Sequence, residues 1–111
     1  MLFRSGSHRE GSGYSLIEAL ACGLPPVVTD IASFRALTGR GSIGQLWPCD
    51  EPAALRAALT AGAARVDQSA RAQVRAHFER ELSFAALGAK LGAMYADLRH
   101  TEAASLRRAG P

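Results

Sequence analysis

The sequence predicts an α/β chain with about three short parallel strands, helices between and beside them, and a C-terminal helical segment. Three observations lead there. Short apolar runs stand at residues 1–3, 27–28 and 44–48, each of a length that suits a buried strand. Between them, apolar residues recur at three- and four-residue spacing, the period of one helical face. Glycine and proline stand at the junctions, as Gly23 and Pro25 do after the first helical stretch. At 111 residues and 48% apolar content, the chain supports one domain with a modest core.

In chain order, Met1, Leu2 and Phe3 read as the tail of a strand. Ser5, Gly6 and Ser7 open a loop that continues to Gly13. Gly11 and Gly13 free that loop to curl and let a ligand approach the backbone. Leu16, Ile17, Leu20 and Ala21 then form one helical face, stopped at Gly23 and Pro25. Val27 and Val28 make the second strand. Ser33 is expected to cap a short helix through Phe34 and Leu37, ended by Gly39 and Gly41.

Residues 44–48 form the third strand, with Trp47 as a core anchor. Asp50 is expected to cap the next helix, where Pro52 is tolerated in the first turn and Leu55 and Leu59 face inward. Ala70, Val74, Phe78 and Leu82 step by four along another helix, with Arg71, Arg75 and Glu79 outside the stripe. Ser83 caps a last helix whose Phe84, Leu87, Leu91, Met94, Tyr95 and Leu98 share a face that reads as core. His77 and His100 read as surface or edge residues, and Cys22 as a small packed one. The pattern stops at Thr101, so residues 100–111 read as a disordered tail.

Strand, glycine loop and helix in this order place free amides and the positive dipole end at the loop, an arrangement that suits a phosphate. Glu10 stands before the loop and Glu18 in the helix, so two acids flank the helix mouth. His8 and Arg9 beside Glu10 could offset a phosphate charge. On the residues alone a plainer reading stands level with this one: Gly11 and Gly13 only make a tight turn, and Glu18 only interacts with the helix dipole.

The run from Ser7 through Glu10, Gly11 and Gly13 to Glu18, followed by Ala19, Leu20, Ala21, Cys22, Gly23, Leu24 and Pro25, resembles the E-x7-E signature of the family 4 (group 1) retaining glycosyltransferases. Val27, Val28, Thr29 and Asp30 resemble the strand after that signature. Gly44, Leu46, Pro48 and Asp50, then Ala54 and Leu55, resemble the next strand and helix. The stretch from Phe84 to Tyr95 resembles the closing helix, so the likeness covers about residues 1–99.

The resemblance implies a partial Rossmann-like domain, the C-terminal half of the donor-binding domain in a two-domain GT-B fold, and a piece inactive alone. It implies hexosyl transfer with retention from a nucleotide sugar of UDP or GDP type, with no metal and an unknown acceptor. By the same resemblance Glu10 contacts the donor sugar and stabilises developing positive charge. Gly11, Ser12, Gly13, Tyr14 and Ser15 hold sugar and diphosphate, and Glu18 binds the ribose. A basic pair facing the diphosphate would lie upstream of the motif. Two departures stand out: Ser12 occupies a position where a bulky apolar residue is commoner, and Ala32, Ser33 and Arg35 replace a small glycine pair and a glutamate.

Composition narrows the alternatives. Alanine and arginine dominate and Lys90 is the single lysine, as in GC-rich bacterial genes. The net charge of +3 sits in the second half, without the aromatic interleaving of a nucleic-acid surface. Cys22 and Cys49 lack metal-ligand spacing and make no disulfide framework. No run approaches a membrane span and no leader pattern opens the chain, which points to the cytoplasm with at most peripheral membrane contact. Two other readings remain open: a non-catalytic nucleotide- or anion-binding remnant, and an interaction module that self-associates through its last helix.

Overall fold

The computed structural model describes residues 1–110. Its elements are β1 (Phe3–Ser5), α1 (Tyr14–Ala21), β2 (Pro26–Thr29), α2 (Ala32–Leu37), β3 (Gln45–Trp47), α3 (Pro52–Ala64), α4 (Gln68–Glu81) and α5 (Phe84–Arg108). The strands form one open parallel sheet in the order β1-β2-β3. Arg4 pairs with Val27, and Val28 with Leu46. This is the predicted α/β architecture.

A central parallel strand is covered on both faces and therefore reads as continuously apolar rather than alternating. All four residues of β2 are buried. Successive side chains point to opposite faces. Accordingly Val28 joins Leu16, Leu20, Phe34, Ile43 and Val74 on one side. Val27 joins Trp47 and Ala58 on the other, with Leu2, Leu55 and Leu59 packed beside them. Trp47 is thus the anchor its sequence position suggested. The α4 stripe is also as expected, with Val74 buried and Phe78 and Leu82 packed against the first cluster.

Several local expectations are corrected. Strand β1 runs Phe3–Ser5, two residues later than read, because Phe3 N–H bonds to the Pro25 carbonyl at 3.1 Å and sets the register. Ser33 does not cap α2: Ile31 holds that position without a side-chain cap, and Asp30 pairs instead with Arg35 at 2.9 Å. Asp50 does not cap α3 either. It adopts φ 63° and pairs with His8, leaving Glu51 at the cap and Pro52 as the first helical residue. Asp67 is the effective cap before α4, accepting from Ala70 N–H at 2.7 Å.

His77 is buried, not at the surface, because its Nε2–H reaches the Leu37 carbonyl at 2.8 Å. Cys22 is exposed rather than packed, since it follows the last turn of α1. Ser83 does cap α5, accepting from Ala86 N–H at 3.1 Å.

The largest correction concerns α5 itself. None of its residues is buried, and Phe84 is 95% exposed. The face read as core is exposed, and α4 is the element that packs most closely beside α5. The helix also runs on to Arg108, where the sequence suggested a tail from residue 100. Twenty-five residues give about 37 Å of helix, which dominates the 66 Å long dimension of the molecule. Among the described residues no helix is long and apolar enough to cross a membrane.

Candidate functional site

In open parallel sheets, ligands bind beyond the carboxyl ends of the strands. Here those ends are Ser5, Thr29 and Trp47. The loop from β1 to α1 is tied down by short polar side chains. Thr29, fully buried at the end of β2, donates its hydroxyl to the Ser7 carbonyl. Ser7 Oγ lies 3.1 Å from Ser5 Oγ and donates to Glu10 Oε1 at 2.7 Å. Glu10 is therefore an exposed carboxylate with a fixed position, held through Ser7 to the sheet. His8 Nε2 stands 3.5 Å from Asp50 Oδ1, linking this loop to the one after β3.

The loop closes at Gly13, which precedes α1 with φ 69°. That positive φ favours glycine, while a Cβ there would stand 2.6 Å from Leu37 Cδ1, a side-chain end that could swing aside. Gly13 brings no capping side chain; its carbonyl accepts from Ile17 N–H at 3.0 Å. Helix geometry then leaves the N–H groups of Tyr14, Ser15 and Leu16 without intrahelical acceptors. A cleft of about 260 Å³ opens there, lined by Glu10, Gly13 and Ser15 together with Phe3, Arg4, Ser5, Leu16 and Phe34.

Of the residues singled out in the sequence, the structure brings Glu10, Gly13 and Ser15 into one cleft. Gly11, Ser12 and Tyr14 are exposed around the same loop but outside its lining. Glu18 is exposed on α1, beyond the lining, so the two acids do not share the cleft. Arg4 was missed. It occupies the middle of β1 and borders the cleft, but its register with Val27 turns its side chain to the face of the sheet opposite Phe3 and α1.

A larger opening of about 610 Å³ lies at the other end of α1, lined by Cys22, Asp67, Arg71 and Arg75. Arg75 is already engaged there: it donates to the Ala21 carbonyl at 2.7 Å and pairs with Glu79 at 2.9 Å. That groove is a packing seam between α1 and α4, remote from the strand ends. Among the described residues no cluster of three or more His, Cys, Asp or Glu side chains could hold a metal ion.

Residues 2–65 match the family described as glycosyl transferases group 1. A phosphatidyl-myo-inositol mannosyltransferase of Mycobacterium leprae (strain TN) is 42% identical over 52 residues, which are 47% of this chain and 14% of that protein. The match therefore spans a small part of that relative's length.

Proposed function

Because residues 2–65 match it over more than half its length, the chain belongs to the group 1 glycosyl transferases, and from that premise we propose that it forms the donor-binding part of an enzyme transferring a hexosyl group with retention. The donor is a nucleotide sugar of UDP or GDP type, bound without a metal. One observation carries this reading: the unpaired amides at the start of α1 and a serine-held carboxylate, Glu10, line one cleft at the carboxyl edge of the sheet.

Each group has a role that follows from its chemistry. The amides from Ser12 to Leu16 and the α1 dipole neutralise the leaving diphosphate. Glu10 faces the sugar and stabilises the positive charge that develops on its ring, as a prepositioned carboxylate does in glycosyl transfer. Glu18, outside the cleft, is placed for the nucleoside end, where a carboxylate accepts from ribose hydroxyls.

The relative makes mannose the first sugar to test, and its lipid acceptor makes peripheral membrane contact from the cytoplasm part of this reading. In this account the chain by itself binds donor without transferring it. An additional role in self-association is favoured by the bare apolar face of α5.

The test is the affinity of UDP and GDP for the wild type and for Glu18→Gln, by ligand-observed NMR. The expected wild-type dissociation constant is in the millimolar range, about −4 kcal/mol. Losing a hydrogen bond to a charged group should weaken it at least about tenfold. Equal affinities for the two proteins would remove Glu18 from the site, and no binding by the wild type would remove the site itself.

A further inference from the structure

The loop between β1 and α1 carries Glu10, and what holds that loop decides where its carboxylate stands. Glu10 is exposed, and nothing lies within 4 Å of where a Cβ on Gly11 would be. Packing therefore does little to fix this part of the chain, and polar ties take its place. Thr29 at the end of β2 donates to the Ser7 carbonyl. The next residue, His8, sets Nε2 3.5 Å from Asp50 Oδ1, in the loop after β3. Strands β1 and β3 flank β2 and so stand about 10 Å apart. The His8–Asp50 pair joins the loops that leave these two outer strands.

Both partners are set aside for this contact. His8 is not part of the lining of the cleft that holds Glu10, Gly13 and Ser15. Asp50 has φ 63°, in the left-handed region that few residues other than glycine adopt. Its carboxylate does not cap α3, which begins at Pro52 behind Glu51. Among the described residues no other ion pair joins two of the strand-end loops.

We propose that His8 and Asp50 are positioning residues for Glu10: their pair holds the β1–α1 loop against the β3–α3 loop, so the carboxylate meets the donor sugar in a fixed place. This rests on the reading of Glu10 as the sugar-facing acid. Ser7 holds the Glu10 side chain through a 2.7 Å hydrogen bond, and His8 holds the backbone between the two. The α1 amides that receive the diphosphate have separate support, since Leu16 and Leu20 anchor that helix in the core. Loss of the pair therefore acts on the sugar and spares the nucleotide.

NMR of the full chain tests this with GDP-mannose and UDP-glucose, each titrated beside its free nucleotide. Glycine adopts the Asp50 φ readily, so Asp50→Gly removes the carboxylate and keeps the turn. Asp50→Gly and His8→Ala should each lower the heteronuclear NOE at Glu10 in the ligand-free chain. Each should weaken nucleotide-sugar binding about two- to fivefold, the scale of an exposed ion pair, and leave free-nucleotide binding unchanged. The double variant should lose no more than either single one, as two halves of one pair do. His8→Lys, which keeps a cation for Asp50, should retain wild-type sugar binding.

Unchanged sugar binding in Asp50→Gly, or additive losses in the double variant, would overturn the proposal while leaving the donor site standing. So would weaker free-nucleotide binding in His8→Ala with tighter binding in Asp50→Gly, which would make His8 a phosphate ligand. No binding of any of these ligands by the wild type would remove the donor site, and this proposal with it.

Discussion

Gly13 shows how one residue can set the shape of a site. Its φ of 69°, in the left-handed region that side chains rarely adopt, turns the chain into α1. Gly13→Ala should cost roughly 1–3 kcal/mol in urea denaturation and displace the amides at the helix mouth. Ser7 acts on side-chain position instead. Ser7→Ala should lower stability by only about 1 kcal/mol, yet leave Glu10 free to move, which a nucleotide-sugar titration would register as weaker sugar contribution.

Glu81 supplies a pH dependence. The Lys90 ammonium, by hydrogen bond and by charge, holds its carboxyl below the usual carboxylate range. The folded chain therefore binds that proton less readily than the unfolded one. The pair's contribution is present above the ordinary carboxylate pKa and fades as pH falls through the lowered one. The gap in denaturation midpoint between wild type and Lys90→Met should be larger at neutral pH than in acid.

At the level of elements, the strands and helices were legible wherever local pattern and burial agree. Val27 and Val28 read as a buried strand because both sheet faces are covered, and Leu16 and Leu20 as a helical face because one side of α1 meets the core. Caps were less legible. Ser33, Asp50 and Asp67 have similar local signatures, but tertiary partners claim the neighbourhood of the first and the side chain of the second, leaving only Asp67 free to cap. His77 follows Val74 by three positions, a spacing that places it on the buried face; its polar side chain masked that signal until Leu37 supplied an acceptor.

For α5 the periodicity gave an apolar face, and its reading as core fails because that face is exposed: the period alone does not say what covers a face. Removing its Ser83 cap by Ser83→Ala should cost about 1 kcal/mol and fray the first turn of α5, measurable as faster amide exchange at Leu87.

Across the whole molecule, the parallel sheet gathers three loop ends at one end of its strands while α5 extends from elsewhere, so the strand-end cleft and the bare face of α5 are separate surfaces. Leu91→Glu should shift dimers toward monomers in sedimentation without changing nucleotide affinity. The position of Glu10 in the cleft was legible because a glycine loop before a helix has few ways to fold. Arg4 was not, because its place depends on the register between β1 and β2.

The central claim is that the mouth of α1 receives the diphosphate of a nucleotide sugar. Amide-resolved NMR of the full chain during titration with UDP and GDP tests it most directly. The account predicts saturable shifts concentrated between Gly11 and Leu16, with smaller ones near Arg4. Shifts centred on Arg71 and Arg75 instead, or none between Gly11 and Leu16, would contradict it.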